Sequence, residues 1–201
     1  VHELDNNIIA HSHFLHGDLE PDEAFKKADY IFEDVFDIAP VQHAHLENHV
    51  AYAYIDYEDK LTVVSSTQIP HICRRVVADC LELPYSKVRV IKPYIGGGFG
   101  NKQDVCIEPM VAMLTQAVNG KLVMLDLTRE EVFYSTRTRH GIKFYFKTGI
   151  NKDGKIVAKK LKAIGNNGAY ASHGHSIVAK GGTNFSRSYP AEYSTEFDGF
   201  T

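Results

Sequence analysis

The side chains able to do chemistry in this 201-residue chain lie in a few short stretches. The first is Tyr94-Ile95-Gly96-Gly97-Gly98-Phe99-Gly100-Asn101-Lys102-Gln103, four glycines around one aromatic. Glycine permits positive φ and lets backbone N–H groups approach a bound group with no Cβ in the way, so this stretch suits a ligand-holding loop. It equally suits a plain bend. Gln103 follows Lys102, so the Gly-x4-Gly-Lys-Ser/Thr spacing is missing. Gly-x-Gly-x-x-Gly is missing too, which makes ATP and NAD weak candidates. The second stretch is Ser66-Thr67-Gln68. A primary amide at a strand end can donate to an oxo group and accept from a thiol or water, or it can simply cap a turn. The third, His43-Ala44-His45-Leu46-Glu47-Asn48-His49, lacks the His-Glu-x-x-His order and precedes a strand. The fourth, His11-x-His13-x-x-His16, has no carboxylate or cysteine at a matching helical spacing and reads as a surface or linker run. Cys73, Cys80 and Cys106 form no Cys-x-x-Cys pair and read as reduced and mostly buried.

These residues need elements to position them. Tyr30–Ile38 alternates and predicts a strand with its aromatic face buried. Residues 49–56 and 61–67 predict two antiparallel strands joined by Tyr57-Glu58-Asp59-Lys60. Pro70 opens a helix carrying Ile72, Val76, Cys80 and Leu83 on its apolar stripe, and Pro84 stops it. Residues 87–91 form the strand that leads into the glycine loop. A helix from Glu108-Pro109 carries Met110, Val111, Leu114 and Val118, and its N-terminal dipole is expected to favour a ligand at the loop. Residues 121–127 predict a strand, and Thr128 caps a helix over the residues that follow. Residues 142–150 and 155–164 pair across Asn151-Lys152-Asp153-Gly154. Pro21–Ala28 is a short helix with acidic residues first. Residues 1–20 read as an extended, linker-like segment. The small residues of 165–175 suit either close backbone approach or an irregular strand exit. Beyond Lys180-Gly181-Gly182 we expect loop and extended chain.

Length and composition set outer bounds. The chain can build one sizeable core, and one domain over residues 21–201 is the expectation. With 44% hydrophobic and 23% charged residues and a formal charge of −3, it reads as a globular protein with no surface for nucleic acid or membrane. It has no signal peptide pattern and no spanning apolar run, so cytoplasm is the expected location. Val1 is not a start methionine, and the run to Thr201 has no evident closing element. This reads as a piece of a longer subunit.

Gly96-Gly97-Gly98-Phe99-Gly100, preceded by Ser66-Thr67-Gln68 and by His43-Ala44-His45-Leu46-Glu47, closely resembles the molybdopterin-binding subunit of the xanthine dehydrogenase and aldehyde oxidase family. Residues 62–75 and 91–104 look like its bacterial xanthine dehydrogenase branch. The resemblance implies an α+β fold of antiparallel-rich sheets with packed helices, the first cofactor-binding domain of a molybdenum hydroxylase. It implies that Gln68, Gly98, Phe99 and Gly100 border a molybdenum–molybdopterin cofactor, in its plain or cytosine dinucleotide form, with Gln68 and Phe99 near the metal but not ligating it. Gln103 falls where many relatives carry a substrate-touching glutamate, and Lys180 where some carry an arginine. No catalytic residue is expected inside this stretch, because the family's glutamate base and a later arginine loop lie beyond Thr201. FAD and [2Fe–2S] clusters are expected on partner subunits or domains, along with the rest of the molybdenum subunit. The activity implied is hydroxylation of a purine or other N-heteroaromatic with water as oxygen source, or an aldehyde oxidase-like reaction. A nucleotide- or phosphate-binding domain and a structural assembly domain are the competing classes.

Overall fold

The Asn151–Gly154 turn closes the longest hairpin of the protein, β9 (Gly141–Ile150) with β10 (Ile156–Asn166), as its sequence predicts. The computed structural model describes residues 6–201, which fall into two compact units. One comprises Val1–Val41 with His140–Thr201, and the other Gln42–Arg139.

In the first unit β9 and β10 belong to a five-stranded sheet. Its other strands are β1 (His11–His16), β2 (Tyr30–Ile38) and β11 (Ser194–Phe200), in the order β1-β11-β10-β9-β2. All neighbours are antiparallel except β10 and β11. A parallel pair needs a long crossover, and helix α5 (Gly174–Arg187) supplies it. α5 covers the sheet through Val178 against Leu161, Ala163 and Phe197, and Gly182 brings it close: a Cβ there would sit 2.4 Å from the Phe197 ring. Helix α1 (Pro21–Phe25) closes a smaller cluster of Ala24, Phe25 and Ala158.

The second unit is a four-stranded sheet, β6 (Val88–Ile91), β5 (Leu61–Ser65), β4 (Val50–Ile55) and β7 (Val123–Asp126), in that order. Helices α2 (Pro70–Cys80) and α3 (Glu108–Ala117) pack on it. Ala51, Ala53, Val63, Cys73, Val77, Val88, Val111 and Ala112 make the core. Small residues on the strands let the helices sit close. Helix α4 (Arg129–Ser135) begins in a capping box, with Thr128 and Glu131 satisfying each other's backbone N–H. A two-residue ribbon pairs β3 (Val41–Gln42) with β8 (Thr138–Arg139).

The α+β class with antiparallel-rich sheets is what the structure shows. Several details differ from expectation. Residues 11–16 are not linker-like but a strand paired along its length with β11. Residues 174–187, expected as loop and extended chain, are α5, and residues 194–200 are an inner strand. In both, burial against Phe197 overrides weak local propensity. β2 is exposed on both faces, not buried on its aromatic one, because its contacts are with its sheet neighbour β9 and, among the described residues, no helix packs on it. The apolar stripes of α2 and α3 are rotated by about one residue. α2 buries Cys73, Val77 and Ala78 and exposes Cys80, and α3 buries Val111, Ala112 and Thr115 and exposes Met110.

Candidate functional site

β5 ends at Ser65 and the chain turns through Thr67, whose Oγ1 accepts the Ile69 N–H. This leaves Gln68 between strand and helix, with its own N–H donating to the Lys102 carbonyl at 2.8 Å. The Gln68 side chain reaches into the glycine loop, where Gly100 N–H donates to its Oε1 at 3.1 Å. A Cβ on Gly98 would lie 2.4 Å from that same Oε1. Gly98 is thus glycine because the carboxamide occupies the space beside it; its φ is not positive. Gly97 and Gly100 do have positive φ, both +98°. Between them Phe99 sits in the left-handed region at φ +53° with its ring 76% exposed, a conformation that a bulky residue adopts only where its surroundings impose it.

The loop is tied down at both ends by residues 43–47. Gly96 N–H donates to Glu47 Oε2 at 3.1 Å, and Glu47 N–H donates back to the Gly96 carbonyl. Lys102 Nζ meets the same Glu47 oxygen at 2.5 Å. The Lys102 side chain is 1% exposed and that of Glu47 31%. One step earlier, Asn101 Nδ2 donates to His45 Nε2 at 3.1 Å and to Thr136 Oγ1, while its Oδ1 accepts from Arg137 N–H. His45 Nδ1 lies against the Glu47 carbonyl, which only accepts, so Nδ1 carries the proton and Nε2 is the acceptor. Arg129 clamps the carbonyls of His45 and Leu46.

The charges follow from this packing. Burial works against the Glu47 carboxylate, yet the Lys102 bond and the Gly96 N–H outweigh it and hold its pKa low. Burial lowers His45, with Lys102 and Arg129 adding repulsion, in line with its neutral tautomer. It pushes His49, its ring tilted against that of His45 with centroids 5.2 Å apart, down to about 4, with His45 and Lys102 adding repulsion. Burial lifts the Cys106 thiol to about 11 and Cys73 further still, so neither is poised as a thiolate.

The sequence-derived site residues divide accordingly. Gln68, Gly98, Phe99 and Gly100 come together in one corner, and Gln103, exposed, stands at the end of the short 3-10 turn after Gly100. Lys180 lies in the other unit, exposed on α5. The expected helix N-terminus is not at the loop. α3 starts only at Glu108, whose own carboxylate caps the N–H groups of Cys106 and Ile107 and binds Ser65. Asn101 and Lys102 escaped the sequence reading. Their signal was a lysine and an asparagine directly after four glycines, with a lone glutamate upstream to receive the charge.

What remains open on the loop is main chain: among the described residues, the N–H groups of Gly97, Gly98 and Phe99 make no hydrogen bond to protein. Backbone donors without protein partners beside a carboxamide are suited in chemical kind to an oxygen-rich group. A family model described as molybdopterin cofactor-binding domain matches residues 1–196. The chain belongs to that family. It is 44% identical over 184 residues to the xanthine dehydrogenase molybdenum-binding subunit of Escherichia coli O157:H7, covering 92% of this chain and 24% of that protein. It is 39% identical over 176 residues to the nicotinate dehydrogenase large molybdopterin subunit of Eubacterium barkeri, covering 88% of this chain and 41% of the relative. The fold matches the aldehyde oxidoreductase of Desulfovibrio gigas with a TM-score of 0.87 at 22% identity, over 97% of this chain and 21% of that one. It also matches the carbon monoxide dehydrogenase of Oligotropha carboxidovorans, TM-score 0.73 at 28% identity, over 94% and 24%. The chain therefore spans about a quarter of the xanthine dehydrogenase subunit it matches.

Proposed function

We propose that this chain is the part of a xanthine dehydrogenase-like molybdenum subunit that borders the oxygen-bearing side of the cofactor, in an enzyme hydroxylating a purine or related N-heteroaromatic. The observation that carries this is the joint of Gln68 with Gly98 and Gly100, where the carboxamide accepts the Gly100 N–H and fills the space beside Gly98. The residues fit the group: a side chain at Gly98 would collide with Gln68, and the donor set is neutral amide, suited to oxo and thiol atoms that carry partial negative charge. When bound, a molybdenum centre would supply the two-electron redox chemistry of a hydroxylation that draws its oxygen from water. This chain's own part is positional. Gln68 and the loop N–H groups orient by hydrogen bonding and transfer no proton, since an amide does not titrate near neutral pH.

Gln103 is the position set to touch substrate, pairing with a heterocycle by donor and acceptor together but shuttling no proton. We assign electron transfer to [2Fe–2S] and FAD partners and allow the plain or cytosine dinucleotide cofactor. Among the described residues no helix is long and apolar enough to cross a membrane, and we place the enzyme in the cytoplasm. The test is Gln68→Ala in the full subunit, scored for molybdenum content and turnover on xanthine and nicotinate. Metal retained with turnover at least tenfold lower supports the reading; full turnover in a metal-replete variant overturns it.

A further inference from the structure

β1 and β11 run antiparallel with His13 opposite Asp198, His11 opposite Phe200 and Leu15 opposite Glu196. Side chains two apart on a strand share a face, and so do those directly opposite across a pair. His11, His13, Glu196 and Asp198 therefore project from the same side of the sheet, although 183 or more positions separate the histidines from the carboxylates. We propose that they form a binding site for one first-row divalent transition-metal ion.

The geometry is close to what such an ion needs. His11 Nε2 lies 3.1 Å and His13 Nδ1 2.9 Å from the same Asp198 oxygen. One ligand atom each from His13, Glu196 and Asp198 lie within 4.8 Å of one another. A tetrahedral centre with bonds near 2.0–2.1 Å spaces its ligands about 3.3 Å apart, so these three atoms must draw together by up to about 1.5 Å. His11, outside that trio, is tied to it by its bond to the shared Asp198 oxygen. The His11 ring is held in place by stacking on Phe200, centroids 4.4 Å apart and 10° from parallel. Lys160 Nζ sits 2.6 Å from Glu196 Oε2 and engages that one oxygen of the carboxylate. The histidine side chains are about half exposed, so an ion can enter from solvent. Two imidazoles with carboxylate oxygens suit Zn2+ and its neighbours, not Mg2+ or Ca2+. His16 pairs with Thr195, one position out of phase, and faces the other side of the sheet. It takes no part. An ion held here fastens the outermost strand β1 to β11.

The same side chains without an ion make two hydrogen bonds to one carboxylate, and the experiment separates the two cases. The metal-stripped full chain is titrated with Zn2+ by calorimetry, and thermal unfolding is followed with and without Zn2+. We expect one ion per chain, a Tm raised by Zn2+, affinity at least tenfold weaker in His13→Ala and in Asp198→Asn, and affinity within twofold of the parent in His16→Ala. Asp198→Asn keeps the shape of the side chain and reads the site even if His13→Ala does not fold. Equal affinity in the parent and both site variants would place any binding elsewhere and overturn the proposal. So would the absence of heat and of a Tm shift at millimolar Zn2+.

Discussion

Lys102 and Glu47 are unequal partners, and the inequality sets the outcome of breaking them. Glu47→Gln leaves an ammonium whose side chain is 1% exposed with no counter-charge. Removing one partner of a buried pair in this way costs roughly 3–5 kcal/mol, and the lower end applies because the glutamine oxygen still accepts from Lys102 and from Gly96 N–H. Lys102→Met leaves a carboxylate that is 31% exposed, keeps the Gly96 N–H and can be hydrated. The methionine fills the space of the lysine stem, so the loss is near one hydrogen bond to a charged group, at the low end of about 1.5–3 kcal/mol. The double variant contains no charge to strand and should cost about the same as Lys102→Met alone, a coupling of roughly 3 kcal/mol. Urea unfolding of the four proteins, followed by circular dichroism, yields all terms of the cycle. If Lys102→Met proves the more damaging change, or if the two losses add, the ammonium is not dependent on Glu47 and the account of how the loop is anchored fails.

Two further outcomes follow from the same corner. Gly98→Ala should push the Gln68 carboxamide aside and remove its bond from Gly100 N–H, costing about 1 kcal/mol of stability because only a flexible side-chain end must move. Turnover of the full subunit should fall much more, and unchanged turnover would show that the position of Gln68 is irrelevant. The pKa of His49 is depressed in the folded state to about 4, so the unfolded chain takes up the proton first. Stability from this group is complete above about pH 6.5 and is lost as pH falls toward 4, up to roughly 3 kcal/mol. His49→Gln should flatten the urea midpoint over that window, and an unaltered pH profile would rule His49 out as the cause.

The sequence was most readable where local rules and tertiary structure agree. Asp153-Gly154 specifies its hairpin by turn chemistry alone, Thr128 with Glu131 announces a helix start, and alternation marks β2 and β4. The helix stripes were nearly right because a 3.6-residue period leaves neighbouring faces close in apolar content. Only packing decides between Cys73 and Ile72, or between Val111 and Met110. α5 was illegible because Gly174, Gly181 and Gly182 depress helix propensity, and the reason for Gly182 is a ring fifteen residues away in sequence. At the site, the glycine loop and Gln68 stood out as chemistry. The Glu47–Lys102 and His45–Asn101 ties did not, since each joins residues more than fifty positions apart, with nothing local to link them.

The order of the five-stranded sheet has a consequence for how the chain reaches its fold during synthesis. Residues 42–139 form a unit from one continuous stretch and contain every partner its core needs. The other sheet cannot be completed so early. Its inner strand β11 follows every other strand of that sheet in sequence, yet it lies between β1, which precedes them all, and β10. Until residues 194–200 leave the ribosome, β1 has no neighbour to pair with and the Phe197 ring that α5 covers is absent. The contiguous unit is thus free to fold while its flanking segments wait. The sheet then closes around its last strand, with the loop-closure entropy of the long stretch between β1 and β11 spent in that event.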